Sequence, residues 1–271
     1  MNLYIGDNMT ETNRLSPITP LKPRKCAIIV GASSGIGAAL ARKFAHEGYS
    51  VACLARRADL LKELCDDINR TYGAPRALAY HHDVTDYDSV PALLQKILVD
   101  LGSLDVFVYN AGIQHHVGID EFDFEKDKEM FDTITLGAVA WMNPVAIMFQ
   151  NLQAGHIVAI SSVAGDRGRV SAPAYNSAKA ALTTFMEALR NRLTRHGVHV
   201  LTVKPGFVDT FILSSAQGKK TFMVVSPDYV AAQVYKAVRK NKQTIYTPPL
   251  WGWIMLIIRH IPSIIFRRMS F

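Results

Sequence analysis

From Lys25 onward the chain alternates short apolar runs with longer amphipathic segments, and that alternation leaves few architectures open. Strand-type runs fall at Cys26 to Val30, Ser50 to Leu54, residues 76–81, Leu104 to Tyr109, His156 to Ile160 and Val198 to Val203. Helical periodicity covers Gly35 to Glu47, residues 58–71, Asp86 to Leu101, residues 124–151, residues 173–196 and Pro227 to Lys240. A strand that reads as a continuous apolar run is one buried on both faces, and parallel strands need helical crossovers to join them. The expectation is an α/β fold: a parallel sheet covered by helices on both sides. No internal repeat and no linker divides the body, so a single domain is expected.

A core of that size is consistent with 271 residues, of which 49% are hydrophobic and 20% charged. The net charge of +7 is concentrated at the ends, in Lys22, Arg24 and Lys25 and in Arg259, Arg267 and Arg268. No basic stripe interleaved with aromatics runs through the chain, so no nucleic-acid partner is expected. The three cysteines, Cys26, Cys53 and Cys65, have no paired spacing and suit a reducing compartment. His81-His82 and His115-His116 are adjacent pairs, which do not share a face of a helix or strand, and no metal site is expected. Residues 1–24, polar and holding Pro17, Pro20 and Pro23, read as a flexible leader without signal-peptide character. A cytoplasmic protein is expected, membrane-associated if its tail acts as an anchor.

The turn after the first strand reads Gly31-Ala-Ser33-Ser34-Gly35-Ile36-Gly37 and opens a helix. Glycines there permit a tight turn and let backbone approach a pyrophosphate at the helix N-terminus. The second strand ends Leu54-Ala-Arg56-Arg57, where an acidic residue would hold the ribose hydroxyls of NAD. Guanidinium groups suit phosphate geometry, so Arg56 and Arg57 favour NADP over NAD; the plainer reading is that one or both cover the helix surface. Asp83-Val84 and Asn110-Ala111-Gly112 follow the third and fourth strands, at carboxyl ends where open α/β sheets bind ligands.

Ser162, Tyr175 and Lys179 carry the chemistry. Tyr175 and Lys179 stand four residues apart, on one helix face, and Ser162 follows the fifth strand. A free phenol has a pKa near 10. A neighbouring ammonium is expected to lower it, so that the phenol exchanges a proton with an alcohol or carbonyl oxygen that the serine holds.

Together these segments, with Pro205-Gly206 and Thr210, resemble the short-chain dehydrogenase/reductase family, in the family's order from residue 25 to about 210. The resemblance implies a doubly wound Rossmann-type sheet of about seven strands and one bound NAD(P). It implies cofactor contacts along Gly31 to Gly37, adenine contacts near Asp83 and Val84, and support of the cofactor loop by Asn110, Ala111 and Gly112. Tyr175 would be the acid/base, Lys179 would lower its pKa and bind the nicotinamide ribose, and Ser162 would orient the substrate oxygen. Pro205, Gly206, Val208 and Thr210 would hold the carboxamide. Family members are usually homo-dimers or homo-tetramers.

Three positions depart from the family pattern. Val30 replaces a common threonine and Tyr109 a second asparagine. Ile134, within Asp132-Thr133-Ile134-Thr135-Leu136-Gly137, replaces an asparagine that supports a proton relay from the lysine, and its side chain cannot hydrogen-bond. Thr135 would substitute if the helix were locally distorted.

Residues 207–226, with Phe207, Phe211, Ile212, Leu213, Phe222 and Met223, read as an apolar lid or as ordinary loop packing. Residues 247–271 form an apolar and basic tail whose uninterrupted apolar run, Leu250 to Ile258, is nine residues, too short to span a bilayer. It reads as an interfacial anchor through residues 250–268, as packing over the pocket, or as a subunit interface.

The expected activity is NADP(H)-dependent interconversion of a carbonyl and a secondary alcohol on a small, apolar substrate. The alternative is an NADP-binding sensor or scaffold with little turnover. An epimerase or dehydratase is disfavoured, because such relatives more often carry a substantial substrate domain.

Overall fold

The computed structural model describes residues 25–72, 75–210 and 223–269. Its strands are β1 (Cys26–Val30), β2 (Ser50–Ala55), β3 (Ala77–His81), β4 (Val106–Tyr109), β5 (Gly155–Ile160), β6 (Val198–Pro205) and β7 (Thr244–Thr247). They form one sheet in the order β3-β2-β1-β4-β5-β6-β7, and every neighbouring pair is parallel. The helices are α1 (Gly35–His46), α2 (Ala58–Tyr72), α3 (Val90–Leu101), α4 (Phe124–Phe131), α5 (Gly137–Leu152), α6 (Pro173–Leu193), α7 (Pro227–Arg239), α8 (Leu250–His260) and the short α9 (Ser263–Phe266).

Alternation of side chains along β1 separates two cores. Ile28 and Val30 pack with residues of α3, α4, α5 and α6, among them Leu94, Met130, Trp141 and Met186. Ala27 and Ile29 face the opposite layer, with Phe44 of α1, Leu61 of α2 and Val234 of α7. All five β1 residues are buried, as a strand covered on both faces must be. The doubly wound α/β fold read from the sequence is therefore the one observed.

The boundaries differ where local chemistry overrides periodicity. Helix α3 starts at Val90 rather than Asp86, because Pro91 lacks an N–H and fits only the first helical turn. Strand β4 starts at Val106, because the Asp105 carboxylate accepts a hydrogen bond from the Cys26 backbone N–H at 2.7 Å and ends the loop there. Strand β7 has no apolar run of its own, and β6 runs on through Lys204 and Pro205, which pair with Tyr246 and Thr247. Residue 247 thus closes the sheet instead of opening a tail.

The long helix expected over 124–151 is interrupted by a π-helical turn, Asp132–Leu136. Two phenols hold it. The Tyr109 hydroxyl donates to the Thr133 carbonyl at 2.5 Å, and the Tyr87 hydroxyl donates to the Asp132 carbonyl at 3.3 Å. Phe124–Leu152 is long and apolar enough to cross a bilayer, but Met130, Trp141, Val145 and Phe149 are buried in the core. The Trp141 indole N–H donates to His82 Nε2 at 3.1 Å, which makes His82 a satisfied core histidine.

One buried ion pair ties the sheet to the turn beyond β5. Lys204 of β6 pairs with Asp166, their side chains 8% and 2% exposed, and the Tyr246 hydroxyl of β7 donates to the same carboxylate at 2.7 Å. Removing one partner leaves a buried charge unpaired. Lys204→Met is expected to cost about 3–5 kcal/mol, and adding Asp166→Leu to restore most of it. Urea unfolding of the single and double variants measures both.

Candidate active site

The strand order reverses between β1 and β4, and a crevice opens at their carboxyl ends, where α/β folds bind ligands. Packing there is extreme. Gly31 has φ +84°, and a Cβ on it would lie 2.6 Å from the Ala111 backbone nitrogen. A Cβ on Gly37 would lie 2.0 Å from the Gly31 carbonyl oxygen and 2.7 Å from Asn110 Nδ2. The Asn110 amide donates to that same carbonyl at 2.8 Å. The cradle between the β1–α1 turn and β4 therefore admits no side chain, and backbone amides at the start of α1 are left to face an anion.

Arg57 lies over this turn. Its guanidinium donates to Ser33 Oγ at 2.9 and 3.2 Å and to Ser34 Oγ at 2.5 Å. Arg56 points elsewhere, 3.7 Å from the Asp83 carboxylate. The two arginines thus separate, one beside the glycine turn and one beside Asp83. Val84 is buried in the core.

Farther along the crevice, a cavity of about 750 Å³ gathers Ile36, Asn110, Gly112, Ser162, Tyr175 and Lys179, and with them Pro205, Gly206, Val208 and Thr210. Ser162 follows β5 and begins a 3-10 turn, its Oγ accepting from the Ala164 N–H at 3.0 Å. Its neighbour Ser161 donates to the Lys179 carbonyl at 3.0 Å and bonds Thr183 Oγ1 at 2.7 Å, which locks α6 against β5. That lock sets the distance between Ser162 and the helix carrying Tyr175 and Lys179. Residue Ala172, just before α6, has φ +53°, a left-handed conformation that non-glycine residues seldom adopt.

The electrostatics correct one expectation. Burial pushes the Tyr175 phenol above its ordinary value; a hydrogen bond with Ser162, then the Arg169 cation, offsets this only in part. Lys179 Nζ stands 5.8 Å from the Tyr175 ring centroid and donates to the Ile160 carbonyl at 2.8 Å. Its own pKa is pulled down to about 8 by burial. The Arg169 cation also reaches the phenol and favours its ionised form. A hydroxyl, a protonated phenol and an ammonium so placed can hold a substrate oxygen and exchange a proton with it.

The helix distortion suggested for Thr135 is present, yet the Thr135 hydroxyl donates to the Ala178 carbonyl at 3.1 Å. Ile134 is fully buried, with its Cγ1 3.6 Å from where a Cβ on Gly112 would stand. Neither side chain reaches Lys179 Nζ as a hydrogen-bond partner.

The tail covers part of the cavity. Trp251 and Met255 of α8 are buried and line it, with Phe207 packed edge-on to Trp251 at 5.6 Å between centroids. The lid expectation falls largely outside the described residues, including Phe211, Ile212, Leu213 and Phe222; its two ends pair through a Val208–Val225 bridge. Arg167 and Arg169 also line the cavity and were missed in the sequence, although two arginines between Ser162 and Tyr175 are a legible signal. Among the described residues, no cluster of His, Cys, Asp or Glu could hold a metal.

A family model described as short chain dehydrogenase matches residues 25–221. An uncharacterised oxidoreductase of Myxococcus xanthus is 32% identical over 222 residues, covering 82% of this chain and 87% of the relative. Among solved structures, an alcohol dehydrogenase from the archaeon Thermococcus sibiricus, complexed with 5-hydroxy-NADP, aligns with a TM-score of 0.74 and 27% identity over 82% of this chain and 95% of its own. An actinorhodin polyketide ketoreductase with NADPH aligns with a TM-score of 0.75 and 26% identity, with the same coverage of 82% and 95%. The matched segment takes in the glycine turn, the Asn110 clasp and the Ser162–Tyr175–Lys179 group on a seven-stranded parallel sheet. This chain belongs to the short chain dehydrogenase family of NAD(P)-dependent oxidoreductases.

Proposed function

We propose that the protein reduces a carbonyl on an apolar compound to a secondary alcohol, with NADPH as the reductant and Tyr175 as the proton donor. The observation that carries this reading is the meeting of Ser162, Tyr175 and Lys179 in one cavity with the end of the glycine turn. The side-chain-free cradle at Gly31, Gly37 and Asn110 fits a dinucleotide's pyrophosphate. Arg57, with Ser33 and Ser34, fits a 2′-phosphate, and Arg56 beside Asp83 flanks the adenine side. When bound, NADPH supplies the hydride.

The chain's own residues do the rest. Ser162 holds the substrate oxygen. Tyr175 gives it a proton, and a phenol held above its ordinary pKa stays protonated at neutral pH, which favours reduction. Lys179, anchored on the Ile160 carbonyl, remains largely charged below about pH 8 and supports the phenolate that forms. Phe207, Trp251 and Met255 give the cavity an apolar wall that excludes water from the reacting oxygen.

Tyr175→Phe is expected to lower NADPH-dependent carbonyl reduction by about 10²–10⁴ while NADPH binding persists. Following NADPH absorbance across a carbonyl panel checks this. Tight NADPH binding with no turnover on any compound would instead favour a sensor, a role consistent with Ile134 in place of a hydrogen-bonding side chain. Arg57→Glu is expected to weaken NADPH binding by roughly ten- to a hundredfold, the worth of one or two charge-assisted hydrogen bonds, with NADH little changed. Titration of cofactor fluorescence separates the two cofactors, and an equal loss for both would withdraw the assignment of Arg57 to the phosphate.

The outer face of α8 and α9 supports a peripheral contact with an anionic lipid surface. Leu250, Trp253 and Ile257 are exposed on α8, as are Ile264 and Ile265 on α9. Arg259, Arg267 and Arg268 are exposed among them, and residues 250–269 contain no acidic residue. Apolar side chains with a basic fringe match the acyl boundary and headgroups of an anionic bilayer. The inner face of α8 walls the cavity, so an apolar substrate arriving from lipid has a short path to Tyr175. Flotation with phosphatidylserine vesicles is expected to carry the protein, and Trp253→Ser with Ile257→Ser to abolish it. Equal flotation of both proteins, or self-association through this face by sedimentation, would remove the membrane reading.

A further inference from the structure

The cavity beside Tyr175 is lined by Arg167, Arg169 and Lys179, and among the described residues none of its walls is Asp or Glu. A cation held away from bulk water without a counter-charge is costly, so each of the three needs an account. Lys179 is anchored on the Ile160 carbonyl. Arg167 donates to the carbonyls of Ile258 and Arg259 at 2.9 and 2.8 Å and lies over the Phe266 ring at 4.1 Å, so it fastens the end of α8. Arg169 is different. Its single hydrogen-bond acceptor is Asn176 Oδ1 at 3.3 Å, its Nε is buried without a partner, and it makes no ion pair among the described residues. Asn176, meanwhile, holds the loop from within, donating to the carbonyls of Ser171 and Arg169 at 3.0 and 3.4 Å. Arg169 is thus a positioned, under-satisfied cation in the wall of the substrate cavity, close enough to Tyr175 for each to perturb the other's charge.

The geometry points to Arg169 as the seat of an anionic group on the substrate, so that the compound reduced at Tyr175 is an oxo acid whose carboxylate meets Arg169 and whose apolar body lies along α8. This rests on the reductase reading above and narrows its substrate class. The cofactor's phosphates do not explain Arg169, because the residues that suit them, Arg57, Ser33 and Ser34, belong to the turn after β1 and the end of β2, whereas Arg169 lies between β5 and α6. A single under-satisfied guanidinium matches a monoanionic carboxylate, which it can bind in a bidentate fork, better than a dianionic phosphate. The cavity's remaining walls near the tail, Phe207, Trp251, Ile254 and Met255, suit a hydrocarbon chain.

The test compares medium-chain oxo acids, with the ketone at successive positions, against their own methyl esters. In the native protein at least one acid is expected to exceed its ester in kcat/KM by roughly ten- to a hundredfold, the worth of a hydrogen bond to a charged group. Arg169→Met is expected to collapse that ratio toward one, and Arg169→Lys to keep part of it. A second readout needs no turnover: decanoate should raise the melting temperature of the NADPH-loaded protein more than methyl decanoate does, and Arg169→Met should erase the difference. Equal kcat/KM for acids and esters in the native protein overturns the proposal, as does a ratio unchanged by both Arg169 variants. If no compound of either kind is reduced, the reductase reading fails, and the decanoate comparison alone decides on Arg169: equal protection by acid and ester sinks it.

Discussion

The molecule depends on how closely its backbone approaches itself between β1 and β4. The Gly31 carbonyl accepts from the Asn110 amide while Gly37 passes over it where no Cβ could fit. This contact extends the β1–β4 pairing past the ends of both strands and seats the first turn of α1 against it. Because β1 and β4 are adjacent although three strands apart in sequence, the same contact defines the crevice in which every candidate site residue is found or bordered. A side chain at Gly37 would push the start of α1 away from the Gly31 carbonyl and the Asn110 amide.

Around that crevice the chain distributes charge unevenly. The ion pair of Lys204 and Asp166, joined by Tyr246, is neutralised and deep, and serves to bind β6 and β7 to the turn after Ser162. Among the described residues, the cavity itself is lined by cations and by no carboxylate. Burial acts on both members of the tyrosine–lysine pair in opposite senses: it holds the phenol neutral and loosens the lysine's proton. Each shift disfavours a charged group in a dry site. Such a site is suited to giving a proton away to an oxygen that is gaining negative charge.

Much of this was legible in the chain. The strand runs, the glycine turn, the two arginines and the serine, tyrosine and lysine lie in order, and each rests on local periodicity or spacing. The structure brings Ser162, Tyr175 and Lys179 into one cavity as their spacing implied. What failed was non-local. Strand β7 is four residues of mixed character and forms because β6 offers it an edge. The π turn at Asp132–Leu136 is held by the hydroxyls of Tyr87 and Tyr109, residues distant in sequence, which donate to its Asp132 and Thr133 carbonyls. The Thr135 hydroxyl is likewise taken by a residue distant in sequence, the Ala178 carbonyl of α6.

The sequence by itself determined the α/β class, the glycine turn after β1 and the candidate residues Ser162, Tyr175 and Lys179, because these rest on side-chain type and short-range spacing. Only the tertiary structure decided what surrounds them. It put Arg57 on the turn and Arg56 on Asp83, although the two are adjacent in the chain. It set Arg169 as a second cation near the Tyr175 phenol, in the wall of the cavity that Lys179 also lines. It also gave α8 two faces, one walling the cavity and one exposed. Electrostatic fields and burial are properties of distances through space, and distances between residues far apart in the chain exist only once it has folded.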